Sequence, residues 1–91
     1  MHYYLYILHS DKLDRYYVGI SSDPENRLGY HNTLQKGWTV RGRPWQLVYQ
    51  REFADRIEAG KYERWLKRQK SRALLQKIVA GEFDWSQILF D

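Results

Sequence analysis

Tyr6, Tyr17, Arg27, His31 and Glu63 are the side chains of this sequence whose types and spacing could do chemistry. Their types suit the hydrolysis of a phosphodiester. That reaction needs a base for water, cations or donors for the charge that builds on the phosphate oxygens, and commonly a hard metal ion. A guanidinium at Arg27 could grip a nonbridging oxygen through two N–H groups. A carboxylate at Glu63 is a natural ligand for Mg²⁺, which takes few protein carboxylates and fills its shell with water and substrate oxygens. A tyrosine with pKa near ~10 is a poor base at neutral pH unless a metal or cation lowers it, whereas His31 titrates nearer the useful range. Each group also has a plainer reading. Hairpin tyrosines are packing surface, Arg27 lies near Glu25 and Asp23, His31 suits a helix end, and Glu63 could pair with Lys67 at i,i+4.

Those groups need elements to position them. Residues 3–8 are aromatic and branched, which favours a strand, with Tyr4, Tyr6 and Leu8 on one face and Tyr3, Leu5 and Ile7 on the other. Residues 9–15 are polar and turn-forming, and residues 16–20 read as a second strand, so 3–20 predicts a hairpin with a loop. Residues 45–53 supply the third strand that a marginal two-stranded ribbon lacks. Asp23 with Pro24 behind it marks a helix start, and Ser22 with Glu25 also fits a capping box. That helix should run to about Asn32, which puts Arg27 and His31, four apart, on one face. Residues 33–44, with Gly37, Gly42 and Pro44, read as a basic loop. Residues 55–70 predict a long helix with Ile57, Ala59, Tyr62, Leu66 and Gln69 near one face, Glu58 nearer its centre and Glu63 at its border. Ser71 interrupts, 73–79 resumes helix, and Gly81 stops it. Phe83, Trp85, Ile88, Leu89 and Phe90 predict a tail that packs back. The order ββαβαα is an α+β arrangement, a small, mainly antiparallel three-stranded sheet flanked by helices.

Composition bounds what such a scaffold can be. Ninety-one residues make one domain, with a core at 3–80 and a packing tail at 81–91, able to bury about 60% of its unfolded surface. The absence of Cys excludes disulfide frameworks, zinc ribbons and thiol catalysis. Apolar runs fall far short of the ~20 residues of a membrane span, and residues 1–6 lack the basic start of a signal peptide. A soluble, cytoplasmic protein is expected. The net charge of +4 is unevenly spread. Lys36, Arg41, Arg43 and Arg51 fall in one acid-free segment, and residues 61–80 hold seven cations against Glu63 alone. Glu82, Asp84 and Asp91 make the end acidic. A polyanion partner would explain two basic segments, and a solvated helix face would explain the second equally well.

The order and spacing of the landmarks resemble one family. Tyr4-Leu5-Tyr6, then Tyr17-Val18-Gly19, then Arg27-Leu28 and His31-Asn32 are similar to the GIY-YIG nuclease superfamily, with Tyr17 eleven positions after Tyr6 and Arg27 ten after Tyr17. Arg41-Gly42-Arg43-Pro44-Trp45 with Leu47-Val48-Tyr49 resembles its third-strand region, and Glu58-Ala59 with Glu63-Arg64-Trp65-Leu66-Lys67 its metal-glutamate helix. The likeness runs from about Tyr3 to Val79 and is nearest the small stand-alone bacterial branch, related to the nuclease domain of the excision-repair subunit UvrC and to Slx-type endonucleases. It departs at Tyr4, where GIY has glycine, and at Asn26, where a second arginine often precedes the first.

The resemblance implies a divalent-metal-dependent endonuclease on DNA, structure-selective and serving repair or recombination. It implies that Tyr17 orients or deprotonates water, that Tyr6 and Arg27 contact the scissile phosphate, and that His31 assists proton transfer. Glu63 would hold one Mg²⁺ or Mn²⁺ ion, with Glu58 as a fallback ligand. Gly19 would keep the strand face beside Tyr17 open to a phosphate. Arg41, Arg43, Lys67, Arg68, Lys70 and Arg72 are expected to contact nucleic-acid phosphates. Larger relatives append a DNA-binding domain for which this length has no room, so a protein partner would supply specificity. The alternative is a nucleic-acid-binding module that keeps the fold without turnover; the retained tyrosines, Arg27 and Glu63 weigh against it. A protein-interaction or toxin-associated domain finds no feature in its favour.

Overall fold

β1, Tyr3–Ser10, pairs antiparallel with β2, Arg15–Ser21, and on its other side with β3, Trp45–Phe53, giving the order β2-β1-β3. The computed structural model describes residues 2–33 and 37–90, so Lys36 and Asp91 of the charge pattern lie outside the described residues. Both hairpin strands run further than their apolar segments. The Ser10 hydroxyl donates to the Gly42 carbonyl at 2.6 Å and accepts from the Leu13 N–H, while His9 lies between Asp11 and Asp14. These polar groups are satisfied in place, so the ladder need not stop at Leu8.

Leu5 to Leu8 are all buried because β1 is central and covered on both faces. Leu5 and Ile7 join Val18, Phe53, Ala59, Leu66 and Ile78 in the larger core. Tyr6 and Leu8 join Trp45 on the opposite face, with Tyr17, Leu28 and Leu47 packed against them. The alternation read from the sequence therefore holds. α1, Pro24–Thr33, brings Leu28 to the Tyr6 face, while α2, Arg56–Gln69, and α3, Arg72–Val79, bring Ala59, Leu66 and Ile78 to the other.

The helix ends show why the chain turns where it does. Asp23 Oδ1 accepts from the Asn26 N–H at 3.2 Å, so Asp23, and not the Ser22–Glu25 box, caps α1; Ser21 Oγ accepts from the Asp23 N–H instead. Asp55 caps α2 through the Glu58 N–H, and Ser71 caps α3 through the Leu74 N–H. Lys70, at φ 48°, makes the left-handed break between them. Residues 33–44 are not all loop, since Trp38–Gly42 forms a 3₁₀ turn.

Three expectations about packing fail. Ile57 is 82% exposed and Gln69 is exposed, because the buried stripe is Ala59, Tyr62 and Leu66, and Ile57 stands about 200° round the helix from Ala59. The tail packs back through Phe83, Trp85 and Phe90, but Leu89 is 85% exposed. Trp85 stacks on Tyr49 and its indole N–H donates to the Tyr49 hydroxyl at 3.1 Å.

Candidate active site

Tyr6 and Gly19 are partners in the β1–β2 register, and the Tyr6 ring lies over the glycine. A Cβ at position 19 would fall 2.5 Å from the Tyr6 hydroxyl and 2.6 Å from Cζ. The glycine is therefore there for Tyr6, which corrects the expectation that it clears space beside Tyr17 for a phosphate. Tyr6 is 1% exposed, and its hydroxyl reaches to 3.5 Å from His31 Nε2, the long limit of a hydrogen bond. The Tyr17 ring packs 4.5 Å from the His31 ring and 6.3 Å from the Tyr6 ring. Two strands and one helix thus bring Tyr6, Tyr17 and His31 together.

α1 holds His31 in place through its neighbour. Asn32 Oδ1 accepts from the Trp45 N–H at 2.6 Å, and Asn32 Nδ2 donates to the Trp45 carbonyl at 3.1 Å. The Trp45 indole N–H in turn donates to the Thr39 carbonyl at 2.7 Å. One side chain so fixes the end of α1 to the start of β3. The sequence carried Asn32 only as a companion of His31; a side chain able both to donate and to accept beside a candidate base was the signal for this role.

Arg27 lies one turn before His31, with its guanidinium 5.4 Å from the Tyr30 ring and near enough to the Tyr6 hydroxyl to act on its titration. Burial pushes the Tyr6 pKa up; Arg27 pulls it back, and Tyr17 and Glu63 push it further up. At neutral pH Tyr6 is a hydrogen-bond donor. His31 is 5% exposed, and burial, followed by the charge of Arg27, pulls its pKa below the usual histidine value. Its imidazole is neutral and able to take a proton. His31 Nδ1 is buried with no hydrogen-bond partner among the described residues.

Glu63 comes from the opposite side of the sheet, on α2, and acts on Tyr6 through space. Its side chain is 18% exposed, with Oε2 3.2 Å from Lys67 Nζ. The plainer ion-pair reading is thus realised at the same residue that faces the tyrosine. Among the described residues no three His, Asp or Glu side chains cluster as metal ligands. The donor set therefore fits a hard ion held by one carboxylate with water and substrate oxygens, and does not fit a closed structural site. Glu58 is exposed in the first turn of α2, five residues and about 140° from Glu63, so it is neither central to the apolar face nor a second ligand for this cluster.

The basic residues divide. Lys67 stands at the site on Glu63. Arg43 is half-buried, donating to the Asn32 carbonyl at 3.3 Å, while Arg41 is exposed. Arg68 borders a recess with Lys61, Trp65 and Phe90; Lys70 and Arg72 border another beside Tyr16. Arg72 is bonded to Asp14 at 2.6 Å and lies over Tyr16. Two further cations, Arg56 and Arg64, stand beside Glu63, although neither was among the expected phosphate contacts.

Comparison with known proteins agrees with this geometry. The profile of the GIY-YIG catalytic domain matches residues 2–78. The chain is 37% identical over 68 residues to a UPF0213 protein of Streptococcus pneumoniae, a stretch that covers 74% of this chain and 68% of the relative. The solution NMR structure of a UPF0213 protein from Bacillus halodurans is similar at a TM-score of 0.56 and 27% identity, over 96% of this chain and 92% of that one. No described helix is long and apolar enough to cross a membrane.

Proposed function

Since this chain belongs to the GIY-YIG family of nuclease domains, we propose that it is a metal-dependent endonuclease hydrolysing DNA phosphodiesters, structure-selective and serving repair or recombination. The observation that carries the reading is the Tyr6 hydroxyl, which reaches neutral His31 and is acted on by Arg27 from α1 and by Glu63 from α2. A packing tyrosine does not need three polar neighbours from two helices.

In this reading Tyr17 orients the attacking water and His31 accepts its proton. Tyr6 donates a hydrogen bond to a nonbridging oxygen, and Arg27 meets the charge that grows there. Glu63 would hold the Mg²⁺ or Mn²⁺ ion, which supplies charge neutralisation on the phosphate when bound. Lys67, 3.2 Å from the carboxylate, helps to aim it. A protein partner supplies substrate selection.

The test uses a panel of linear, flapped and branched DNA and RNA, with Mg²⁺, Mn²⁺ or EDTA. Cleavage is expected with a metal and not with EDTA. Glu63→Gln should abolish it while leaving DNA binding equal or tighter, because one negative charge beside a polyanion is removed. Were Glu63 merely the partner of Lys67, a contact worth about 0.2–0.5 kcal/mol, the substitution would leave cleavage intact. A wild type that cuts no substrate with either metal would hand the assignment to the non-catalytic binding module.

A further inference from the structure

Two shallow recesses adjoin at the β2 edge of the sheet. One, of about 260 Å³, is bordered by Arg27 and Arg56; the next, of about 320 Å³, by Arg56, Glu63 and Arg64. Arg56 and Ile20 line both, so the two form one continuous depression. Three guanidinium groups face it against one carboxylate, and that carboxylate is already on Lys67. The depression is therefore cationic.

Five other cations are committed. Arg72 is held by Asp14, Arg43 by the Asn32 carbonyl and Lys67 by Glu63, while Arg51 lies over Trp85 and Lys61 over Phe90. Arg56 and Arg64 make no ion pair or hydrogen bond with another described residue. Neither is placed for helix stability. Arg56 opens α2, where the dipole disfavours a cation, and the positions three and four before Arg64 are Lys61 and Gly60, so neither offers it an acid. Gly60 sits one turn before Arg64 inside the helix, where glycine is a weak former. A Cβ there would come 3.2 Å from Arg64 Nη1 and 3.8 Å from Ile20 Cδ1. The glycine lets the Arg64 guanidinium fold back across α2 into the depression.

Resting on the nuclease reading above, we propose that Arg56 and Arg64 form a second phosphate-binding position, which grips the phosphate flanking the scissile one on the same DNA strand. Arg27 and Glu63 mark the scissile position, and Arg56 bridges the two. Such a clamp adds affinity without base readout and fixes the strand's direction across the sheet edge.

The experiment measures binding of a fluorescein-labelled DNA duplex in EDTA against salt concentration, by anisotropy, for wild type, Arg56→Gln, Arg64→Gln and Gly60→Ala. Each arginine variant should lower the log–log salt slope by about 0.9, equally for unrelated sequences. Gly60→Ala should raise the melting temperature, as alanine favours the helix, and yet lower the slope by displacing Arg64; a purely structural glycine would not split the two readouts. Unchanged slopes in both arginine variants overturn the proposal, whether or not the wild type cleaves. Lowered slopes in a wild-type background that cuts nothing leave the phosphate position standing and remove the catalytic reading. A wild type without salt-dependent DNA binding removes both.

Discussion

His31 and Tyr6 titrate away from neutrality in opposite directions, the imidazole downward and the phenol upward, and burial is the first cause of both. His31 is then neutral at neutral pH and takes its proton only below the ordinary histidine value. The acid limb of the cleavage-rate profile should therefore lie below the ordinary histidine value of about 6.5, and it should vanish, with activity, in His31→Ala. Stability follows the same sign. Because the folded pKa is depressed, the unfolded chain takes the proton first, so stability falls as pH drops from about 6.5 towards the folded value. Tyr17→Phe keeps the ring against His31 and removes only the hydroxyl; loss of cleavage at an unaltered melting temperature would give it the water-orienting part. Normal cleavage by Tyr17→Phe beside a dead His31→Ala would leave the histidine alone in that part. Arg27→Ala should slow single-turnover cleavage by about 10²–10³, the scale of one electrostatic donor. That Tyr6, Tyr17, Arg27 and His31 lie near one another was legible because their spacing is set by a hairpin and one helix turn, whereas Glu63 comes from α2. Arg56 and Arg64 were not legible, because their meaning lies in having no partner and in facing Glu63, which only the packing of α2 on β2 reveals.

Strands and helix starts were legible from their own residues. Alternation through β1 and the Asp23-Pro24, Asp55 and Ser71 caps are local signals, satisfied by atoms within three residues. Features that depend on a distant element were not. Ile57 looks like core until the stripe of Ala59 and Leu66 is docked and turns it to solvent. The extra length of the hairpin depends on Gly42, thirty-two positions after Ser10. Gly19→Ala tests the tightest of these distant fits. The new methyl meets a buried ring instead of a flexible end, so the variant should lose about 1–3 kcal/mol in a denaturant titration and lose cleavage with it. Retained stability with lost cleavage would mean that the ring swings aside at little cost and that only the hydroxyl's position matters.

For the whole molecule, a net charge of +4 understates the local bias towards a polyanion, because Arg27, Arg56 and Arg64 face one depression against a single carboxylate. The two basic segments contribute unequally. Arg41 is exposed, whereas Arg43 is half-buried on the Asn32 carbonyl that ends α1. Arg41→Ala should therefore lower the salt slope of DNA binding by up to about 0.9 without moving the melting temperature. Arg43→Ala should lower the melting temperature, since it removes a bond that secures α1 to the strand-three region. Equal effects of the two on both readouts would show that the loop acts only as a charged surface. Composition could locate these arginines in one segment, but it could not sort a contact from a fastener.

Gly19 and Tyr6 also constrain each other's history. The three atoms nearest to a Cβ at position 19 all belong to Tyr6, so the ban on a side chain there lasts only while the phenol remains. A descendant that shortened Tyr6 would lose its hydroxyl and, with it, the three nearest objections to alanine or serine on β2. Drift at position 19 could then proceed unseen by selection. Restoring tyrosine at position 6 afterwards would drive its ring into the new side chain, so reversal would require both changes together. The pair works as a ratchet: within this fold, cleavage is easily surrendered by one substitution and hard to regain by one.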